Sequence, residues 1–241
     1  MKAGVERFLQ MVEESENIVF FGGAGVSTES GIPDFRSVDG LYNQKYDYPP
    51  ETILSHTFYM RKTEEFYRFY KDKMLCLDVE PNITHRKLAE LEAKGKLKAV
   101  ITQNIDGLHQ AAGSKRVLEL HGSVHRNYCK NCGKGFDASY IKITKELVPL
   151  CDACGGRIKP DVVLYEEGLD QQTLDDAVFY ISHADMLIIG GTSLAVYPAA
   201  GLVRYFRGRH LVLINKSTTS MDENADLLLQ MGLGEVFGEI K

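Results

Sequence analysis

Apolar residues along the first part of the chain change from helical spacing to one continuous run. Between positions 3 and 15 they recur every three or four residues, which predicts an amphipathic helix over this segment. The residues from Asn17 to Phe21 are all apolar except the first, a run that is typical of a buried strand. The chain is therefore expected to begin with a helix that leads into a strand.

Similar runs recur after position 80 and are separated by segments with helical spacing. We predict strands at residues 97–102, 116–122, 186–189, 210–215 and 227–229. Helices are predicted over 170–182, over 197–206, and from an N-cap at Asn82 or Thr84 to an end at Gly95. Because continuously apolar strands alternate with helices, we expect an α/β fold, a Rossmann-like parallel sheet with helices on both faces.

Two segments interrupt this alternation. Residues 34–80 are rich in aromatic side chains and show helical spacing in their later half, whereas residues 123–159 are polar and carry paired cysteines. We expect these two segments to form a smaller domain, made of a helical insertion and a cysteine module. The large domain would then consist of residues 1–33, 81–122 and 160–241.

Composition narrows the classes of function. The 241 residues are 44% hydrophobic and 25% charged with a net charge of −5, which does not favour a polyanion such as nucleic acid as partner. No apolar run is long enough to span a membrane, and the first residues lack the apolar region of a secretory signal. We expect a cytoplasmic, monomeric protein that binds neither nucleic acid nor membrane.

Four of the five cysteines form two Cys-x-x-Cys pairs, Cys129 with Cys132 and Cys151 with Cys154, separated by eighteen residues. Thiolates at this spacing are typical ligands of one tetrahedral zinc ion. Four thiolates fill the coordination shell of zinc, so no position remains for a reactive water. The pattern predicts one structural Zn²⁺.

Residues just past the predicted strands are candidates for a binding site, because ligands of open parallel sheets bind beyond the carboxyl ends of the strands. Four of these five strand ends carry small or hydrogen-bonding groups, and one adds an imidazole. They are Gly22 to Gly25, Gln103 to Asp106, His121, Gly190 to Ser193, and Asn215 with Lys216. Such clustering is more informative than any one of the motifs.

The glycine-rich end is compatible with two structures. Gly23-Ala24-Gly25 can bring backbone N–H groups close to a pyrophosphate, and a helix that starts near Ser27 would point its amino end there. The alternative is a tight turn without a ligand. Thr28 occupies the third-glycine position and no acidic residue follows about 20 positions later, so an ordinary NAD dehydrogenase is disfavoured.

His121 also has two interpretations. An imidazole with a pKa near its ordinary value of about 6.5 can act as a general base at neutral pH if a substrate proton lies within reach. A lone histidine is more often structural. Its place at a strand end, followed by a glycine that leaves space beside the ring, distinguishes His121 from the other histidines.

Several long motifs follow one another along nearly the whole chain. They are GAGVSTESGIPDFR (23–36), TQNIDGLH (102–109), ELHGS (119–123), the two cysteine pairs, GTSLAVYPAA (191–200), IN (214–215) and GE (234–235). This set closely resembles the sirtuins of bacterial type, which are NAD-dependent protein-lysine deacetylases. The resemblance implies a Rossmann-like large domain, a small zinc domain, and a cleft between them for NAD and an acetyl-lysine peptide.

The resemblance also implies residue roles. His121 would be the base, and Asn104, Ile105 and Asp106 would shape the pocket that receives nicotinamide. The residues implied to contact the NAD co-substrate are Ala24, Gly25, Thr28, Phe35, Arg36, Gln103, Asn104, Ile105, Asp106, His121, Gly191, Thr192, Ser193, Asn215 and Lys216. The backbone that pairs with the substrate peptide would comprise Val163, Leu164, Tyr165 and Glu166.

The chemistry implied by the resemblance transfers the acetyl group of acetyl-lysine to the ADP-ribose of NAD. The amide oxygen attacks C1′ of the nicotinamide ribose as nicotinamide leaves, and His121 then helps to deprotonate a ribose hydroxyl. Products would be deacetylated lysine, nicotinamide and O-acetyl-ADP-ribose. Two rival functions stay open: mono-ADP-ribosyl transfer to protein, and an NAD-sensing binding module without catalysis.

The chain departs from the family pattern in two places that bear on the substrate. Many relatives have Phe-Gly-Glu where this chain has Tyr165-Glu166-Glu167, so we expect the added acid to favour basic residues beside the target lysine. The Tyr-x-x-Arg pair of desuccinylases is absent, because the stretch that begins at Tyr67 ends in Tyr70. Acetyl and other neutral acyl groups are therefore expected in preference to succinyl.

Overall fold

The computed structural model describes residues 2–34 and 47–241. Within these ranges the strands are β1 (Ile18–Gly22), β2 (Leu97–Thr102), β3 (Val117–Glu119), β4 (Gly122–Cys129), β5 (Gly135–Phe136), β6 (Ile158–Val162), β7 (Met186–Gly190), β8 (His210–Ile214) and β9 (Leu227–Leu229). The α-helices are α1 (Lys2–Glu14), α2 (Pro50–Ile53), α3 (His56–Arg61), α4 (Thr63–Phe69), α5 (Ile83–Ala93), α6 (Leu108–Ala111), α7 (Ala138–Ile143), α8 (Gln171–His183) and α9 (Leu233–Phe237).

The larger sheet in the described residues is parallel and has the strand order β3-β2-β1-β7-β8-β9. Its order reverses between β1 and β7, which makes a crevice at the carboxyl ends of these two strands. Gly22, the last residue of β1, pairs with Thr102 of β2 and with Gly190 of β7. The carboxyl ends of these strands therefore lie side by side, as the predicted Rossmann-like fold requires.

Both faces of this sheet are buried, which explains why its strands are continuously apolar. Phe20 packs with Phe8 of α1 and Phe237 of α9 in the core on one face. Phe21, the next residue, packs on the opposite face, in the core that contains Ile181 of α8. The prediction of helices on both faces is confirmed.

Of the two predicted N-caps of α5, Asn82 and Thr84, the structure has Asn82. Its side-chain oxygen accepts hydrogen bonds from the backbone N–H groups of Thr84 and His85. Its amide nitrogen donates to the Val26 carbonyl at 2.7 Å and to Ser30 Oγ at 3.0 Å. One side chain thus starts a helix and ties it to the turn that follows β1.

A second, antiparallel sheet has the order β5-β4-β6. A third core lies beside it and contains Phe66, Tyr67 and Tyr70 together with Ile141 and Ile158. The aromatic insertion and the cysteine module therefore share one core, which supports the proposed small domain. Val162 and Leu164, which the proposed boundaries assign to the large domain, also pack in this core.

Three predicted elements differ from the structure. The run 116–122 is divided: β3 ends at Glu119, β4 begins at Gly122, and His121 lies in the turn between them. The helix expected near Ser27 is replaced by two 3₁₀ turns, Ala24–Val26 and Thr28–Ser30. The helix predicted over 197–206 is a 3₁₀ segment, Ala199–Tyr205.

Among the described residues, none of the helices has both the length and the apolar character that crossing a bilayer requires.

We expect Gly122→Ala to lower the free energy of unfolding by about 2 to 5 kcal/mol, because the new side chain would adopt a left-handed backbone and overlap a neighbour. Gly122 has a φ of 75°, and a Cβ there would lie 1.9 Å from the Asp161 carbonyl oxygen. Gly95 has the same φ, and a Cβ there would have no atom within 4 Å, so Gly95→Ala is the matched control. Urea unfolding measures both; equal losses would contradict the steric argument.

Candidate functional site

Two backbone loops touch at the crevice between β1 and β7. The Gly25 N–H donates to the Gly191 carbonyl at 2.8 Å. A Cβ on Gly25 would lie 2.8 Å from Gly191 Cα, and one on Gly191, whose φ is 60°, would lie 2.5 Å from the Val26 nitrogen. Neither position has room for a side chain, so both predicted site glycines are required by this contact.

The glycine loop offers fewer free N–H groups than its sequence predicts. The Gly23 N–H donates to the Gly190 carbonyl at 3.3 Å and the Gly25 N–H to Gly191, whereas the Ala24 N–H has no partner in the described part of the chain. Thr28 Oγ1 donates to the Gly25 carbonyl at 3.0 Å. This bond is made within the loop itself and stabilises its turn.

Three of the predicted cofactor residues are joined by hydrogen bonds across the strand ends. Gln103, after β2, donates from Nε2 to Thr192 Oγ1 at 2.9 Å. Asn215, after β8, donates from Nδ2 to the Thr192 carbonyl at 3.2 Å. Thr192 is therefore held from both sides, while Ser193 and Lys216 beside this chain of bonds are exposed.

The second strand end carries a buried polar chain of hydrogen bonds. Asn104 Nδ2 donates to Ser27 Oγ at 3.0 Å, and Ser27 Oγ donates to Asp106 Oδ2 at 2.6 Å. The other Asp106 oxygen accepts from the Leu108 N–H at 2.9 Å. Asp106 thus has both oxygens engaged, whereas Asn104 Oδ1 accepts no hydrogen bond within residues 2–34 and 47–241.

Ile105 faces the other way from these polar groups. Its side chain packs against the third core, and its carbonyl accepts from the Val124 N–H of β4 at 3.0 Å. This residue therefore connects the strand-end loop to the smaller sheet.

The imidazole of His121 has a defined tautomer. Its Nδ1 lies 3.0 Å from the Gln103 carbonyl oxygen, which can only accept, so Nδ1 carries the proton and Nε2 keeps a lone pair. Burial lowers the pKa of His121 below its ordinary value, and the bond to Gln103 offsets part of this effect. At neutral pH the ring is uncharged and can accept a proton at Nε2.

The segment predicted to bind peptide follows directly from β6. The Val163 N–H donates to the His121 carbonyl at 3.0 Å. Tyr165 forms a short parallel bridge with Ser55. The Tyr165 N–H donates to the Leu54 carbonyl at 3.0 Å, and the Tyr165 carbonyl accepts from the His56 N–H at 2.9 Å. Leu164 is buried in the third core.

The four paired cysteines converge as predicted. Their sulfur atoms all lie within 4.8 Å of one another, with Sγ separations of 3.4 Å for Cys129 and Cys154 and 3.7 Å for Cys132 and Cys151. Ligands about 2.3 Å from a tetrahedral zinc ion would lie about 3.8 Å apart, so the cluster fits one zinc ion. Because all four ligands are thiolates, the ion would have a structural role.

Sequence reasoning missed three residues of this site. Ser27 bridges Asn104 and Asp106, Asn82 fixes the turn after β1, and the exposed His125 donates from Nε2 to the Asp106 carbonyl at 2.9 Å. Only Asn82 had a signal, as a helix cap; the other two depend on partners far along the chain. Phe35 and Arg36, predicted to contact NAD, lie outside the described residues.

Comparison with known proteins identifies relatives that match this chain over nearly its full length. Residues 23–198 match the Sir2 family. The NAD-dependent protein deacetylase of Clostridium acetobutylicum is 59% identical over 234 residues, 96% of each chain. That of Clostridium tetani is 57% identical over 233 residues, 96% of this chain and 94% of its own.

Solved structures of Sir2 enzymes share the fold. A Sir2 complex with a p53 peptide and NAD⁺ has a TM-score of 0.85 at 42% identity and covers 97% of this chain and 95% of its own. A Sir2 variant with deacetylated p53 peptide and 3′-O-acetyl-ADP-ribose has a TM-score of 0.89 at 42% identity, covering 97% and 96%. The similarity to these proteins thus extends over almost the whole chain. This length includes the parallel sheet, the residues at its strand ends and the four cysteines.

We expect Cys154→Ser to reduce bound zinc well below one ion per chain and to lower the free energy of unfolding by more than about 4 kcal/mol, since an incomplete shell would not organise the module. Cys76→Ser is the matched control, because Cys76 lies outside the cluster. Atomic absorption and urea unfolding measure the two effects. Unchanged zinc content in Cys154→Ser would contradict the four-cysteine site.

Proposed function

This chain belongs to the Sir2 family, and we propose that its strand-end site transfers the acetyl group of an acetyl-lysine side chain to the ADP-ribose of NAD. The enzyme is an NAD-dependent protein deacetylase of the sirtuin type. The observation that supports the site assignment is the tautomer of His121, whose Nε2 keeps a lone pair beside the loops that we propose to hold the cofactor. The following roles of individual residues belong to the proposal.

For the pyrophosphate of NAD we propose the Ala24 N–H as the principal donor of the glycine loop, because the neighbouring glycine N–H groups are already bonded. Gly25 and Gly191 allow the close approach of the two loops, and Thr28 holds the loop closed. Gln103, Thr192 and Asn215 would line the adenosine side with Ser193, and Lys216 would supply a cationic group there. Phe35 and Arg36 remain predicted contacts.

For nicotinamide we propose Asn104 Oδ1 as the acceptor of the carboxamide N–H. The Ser27 hydroxyl fixes the Asn104 amide so that this oxygen is free, and Asp106 in turn orients Ser27. Ile105 would supply the apolar wall next to them. Such preorganised groups orient the leaving group without reorganisation at the moment of reaction.

For the acyl substrate we propose an acetylated-lysine protein or peptide that pairs in extended form with residues 163–166. Solved relatives contain acetylated or deacetylated peptides. Tyr67 and Tyr70, the residues at the positions that mark desuccinylases, are fully buried in the third core, and the Tyr67 hydroxyl donates to the Ile158 carbonyl. Neither position carries a cation that could pair with a succinyl carboxylate, which supports a neutral acyl substrate.

We further propose a cytoplasmic location, because four cysteines arranged around one metal position suit a reducing compartment better than disulfide formation. A monomeric state and the lack of a nucleic-acid partner stay predictions from the sequence.

We expect His121→Ala to reduce acetyl-peptide turnover by about 10²- to 10⁴-fold, the usual contribution of a general base. Mass spectrometry should show nicotinamide, deacetylated peptide and O-acetyl-ADP-ribose for the parent enzyme. ADP-ribose attached to protein would instead support mono-ADP-ribosyl transfer, and NAD binding without turnover would support a sensing module. His183→Ala is the control, since this exposed histidine lies on α8; equal turnover in both variants would refute the role of His121.

The acidic limb of the pH profile of kcat/KM should have its midpoint below pH 6.5. Because burial lowers the pKa of His121, the ring stays neutral, and able to accept a proton, to a lower pH than an exposed histidine would. Activity should thus be retained at pH 6.5 and lost as the pH falls further. Initial rates at low acetyl-peptide concentration between pH 4.5 and 8.5 measure this limb, and a midpoint above pH 7 would contradict the assignment.

A further inference from the structure

Glu166 has an unusual backbone for a residue with a side chain. Its φ is 74°, in the left-handed region, which costs an ordinary residue about 1 to 2 kcal/mol. Glycine adopts this backbone without the cost. An interaction of the Glu166 side chain must therefore compensate for the backbone strain.

The side chain of Glu166 bonds to the start of helix α3. Its Oε2 accepts from the Thr57 N–H at 2.9 Å. Thr57 lies in the first turn of α3, where backbone N–H groups have no acceptor within the helix. Hydrogen bonds from Thr57 lower the pKa of Glu166, so the carboxylate is ionised at neutral pH. The contact joins an anion to an N–H group that would otherwise face solvent.

Glu167 holds the same segment from its other side. Its Oε2 accepts from the Leu164 N–H at 2.9 Å and from Lys159 Nζ at 3.0 Å, and its Oε1 lies 2.8 Å from His56 Nδ1. Both carboxylates therefore tie residues 164–167 to the start of α3, and Glu167 also bonds within the segment through the Leu164 N–H.

Two backbone groups of this segment are left open. The Val163 carbonyl and the Glu166 N–H have no partner among the residues that the structure describes. An extended peptide pairs with the N–H and carbonyl groups along one edge of the strand it joins, and the Glu166 N–H is an open donor for such a peptide. The Glu166 N–H shares its peptide plane with the Tyr165 carbonyl, which accepts from the His56 N–H at 2.9 Å. The bond of the Glu166 side chain to the Thr57 N–H fixes the other side of the φ rotation, so the two bonds together set the direction of this donor.

We propose that Glu166 is a positioning residue for the acyl-peptide substrate: its bond to Thr57 holds the backbone of residues 163–166 in the conformation that pairs with the peptide. The proposal rests on the proposed function, since it takes an acetyl-lysine peptide as substrate. It differs from the expectation that Glu166 selects basic flanking residues, because the carboxylate acts here on the enzyme's own backbone.

The test compares Glu166→Gly and Glu166→Gln with the parent enzyme in steady-state kinetics. Glycine accepts the left-handed backbone but removes the anchor, so the KM for an acetyl-lysine peptide should rise by about 5- to 20-fold, the effect of losing a charge-assisted hydrogen bond in part. A glutamine oxygen can still accept from Thr57, so Glu166→Gln should restore the KM to within about twofold of the parent. The kcat and the KM for NAD should be unchanged in both.

A surface acid of the same region supplies the control. Glu51→Gln removes one negative charge from the exposed first turn of α2, where Glu51 has no partner among the described residues, and should leave every constant unchanged. Thr57→Pro removes the N–H itself, and Thr57 lies in the first turn of α3, where this N–H makes no bond within the helix. If the bond acts as proposed, Glu166→Gly should have no further effect on the peptide KM in the Thr57→Pro background.

A peptide KM for Glu166→Gly equal to that of the parent would overturn the proposal. So would a KM increase in Glu166→Gln that equals that of Glu166→Gly and is confined to peptides with basic flanks, because that pattern indicates selection by charge. Failure of the proposed function is distinguishable, since the parent enzyme itself would then release no nicotinamide with acetyl-lysine peptide. Thermal unfolding of each variant confirms that the fold is retained.

Discussion

The contact between the backbones of Gly25 and Gly191 is the constraint on which the arrangement of the residues at the carboxyl ends of the parallel strands depends. It joins the loop after β1 to the loop after β7 at the point where the strand order reverses. A side chain on either residue would separate the loops. The position of Thr192, one residue later, follows from this contact, and with it the bonds that Thr192 makes to Gln103 and Asn215. The glycines therefore serve loop-to-loop packing at least as much as access of a ligand to the loop.

The ring of His121 is oriented by a backbone carbonyl group and not by the carboxylate of an acidic side chain. It lies in a turn whose first residue, Leu120, donates to the Thr102 carbonyl at 2.9 Å, and its ring donates to the carbonyl of the next residue, Gln103. A carboxylate in place of that carbonyl would favour the charged imidazolium and raise its pKa. The neutral carbonyl fixes the same tautomer while burial keeps the pKa low. The ring is thus held neutral with Nε2 able to accept a proton, as the proposed base requires.

The sequence predicted the central sheet well because its strands are buried on both faces, as Phe20 and Phe21 show. The rule for strand ends placed Gln103, Thr192 and Asn215 correctly at one edge. The sequence did not predict β4, whose buried and exposed residues follow no regular alternation and which pairs with β5 and with the distant β6. It could not reveal that Ser27 bonds to Asp106 or that Glu166 bonds to Thr57, because these partners are 79 and 109 positions apart. Local pattern determines elements, whereas these bonds depend on how elements pack.

The small antiparallel sheet connects the cluster of four cysteines to the region of His121 but keeps the two far apart. Gly122 of β4 pairs with Val162 of β6, and the Val163 N–H bonds to the His121 carbonyl. The proposed base and the proposed peptide segment therefore lie side by side. The cysteine cluster begins at Cys129, the opposite end of the same eight-residue strand. At about 3.3 Å per residue the seven steps from Gly122 to Cys129 span roughly 23 Å, so the metal position lies far from His121. Zinc would therefore act on catalysis only through the rigidity of β4 and β6, which align the peptide segment with His121.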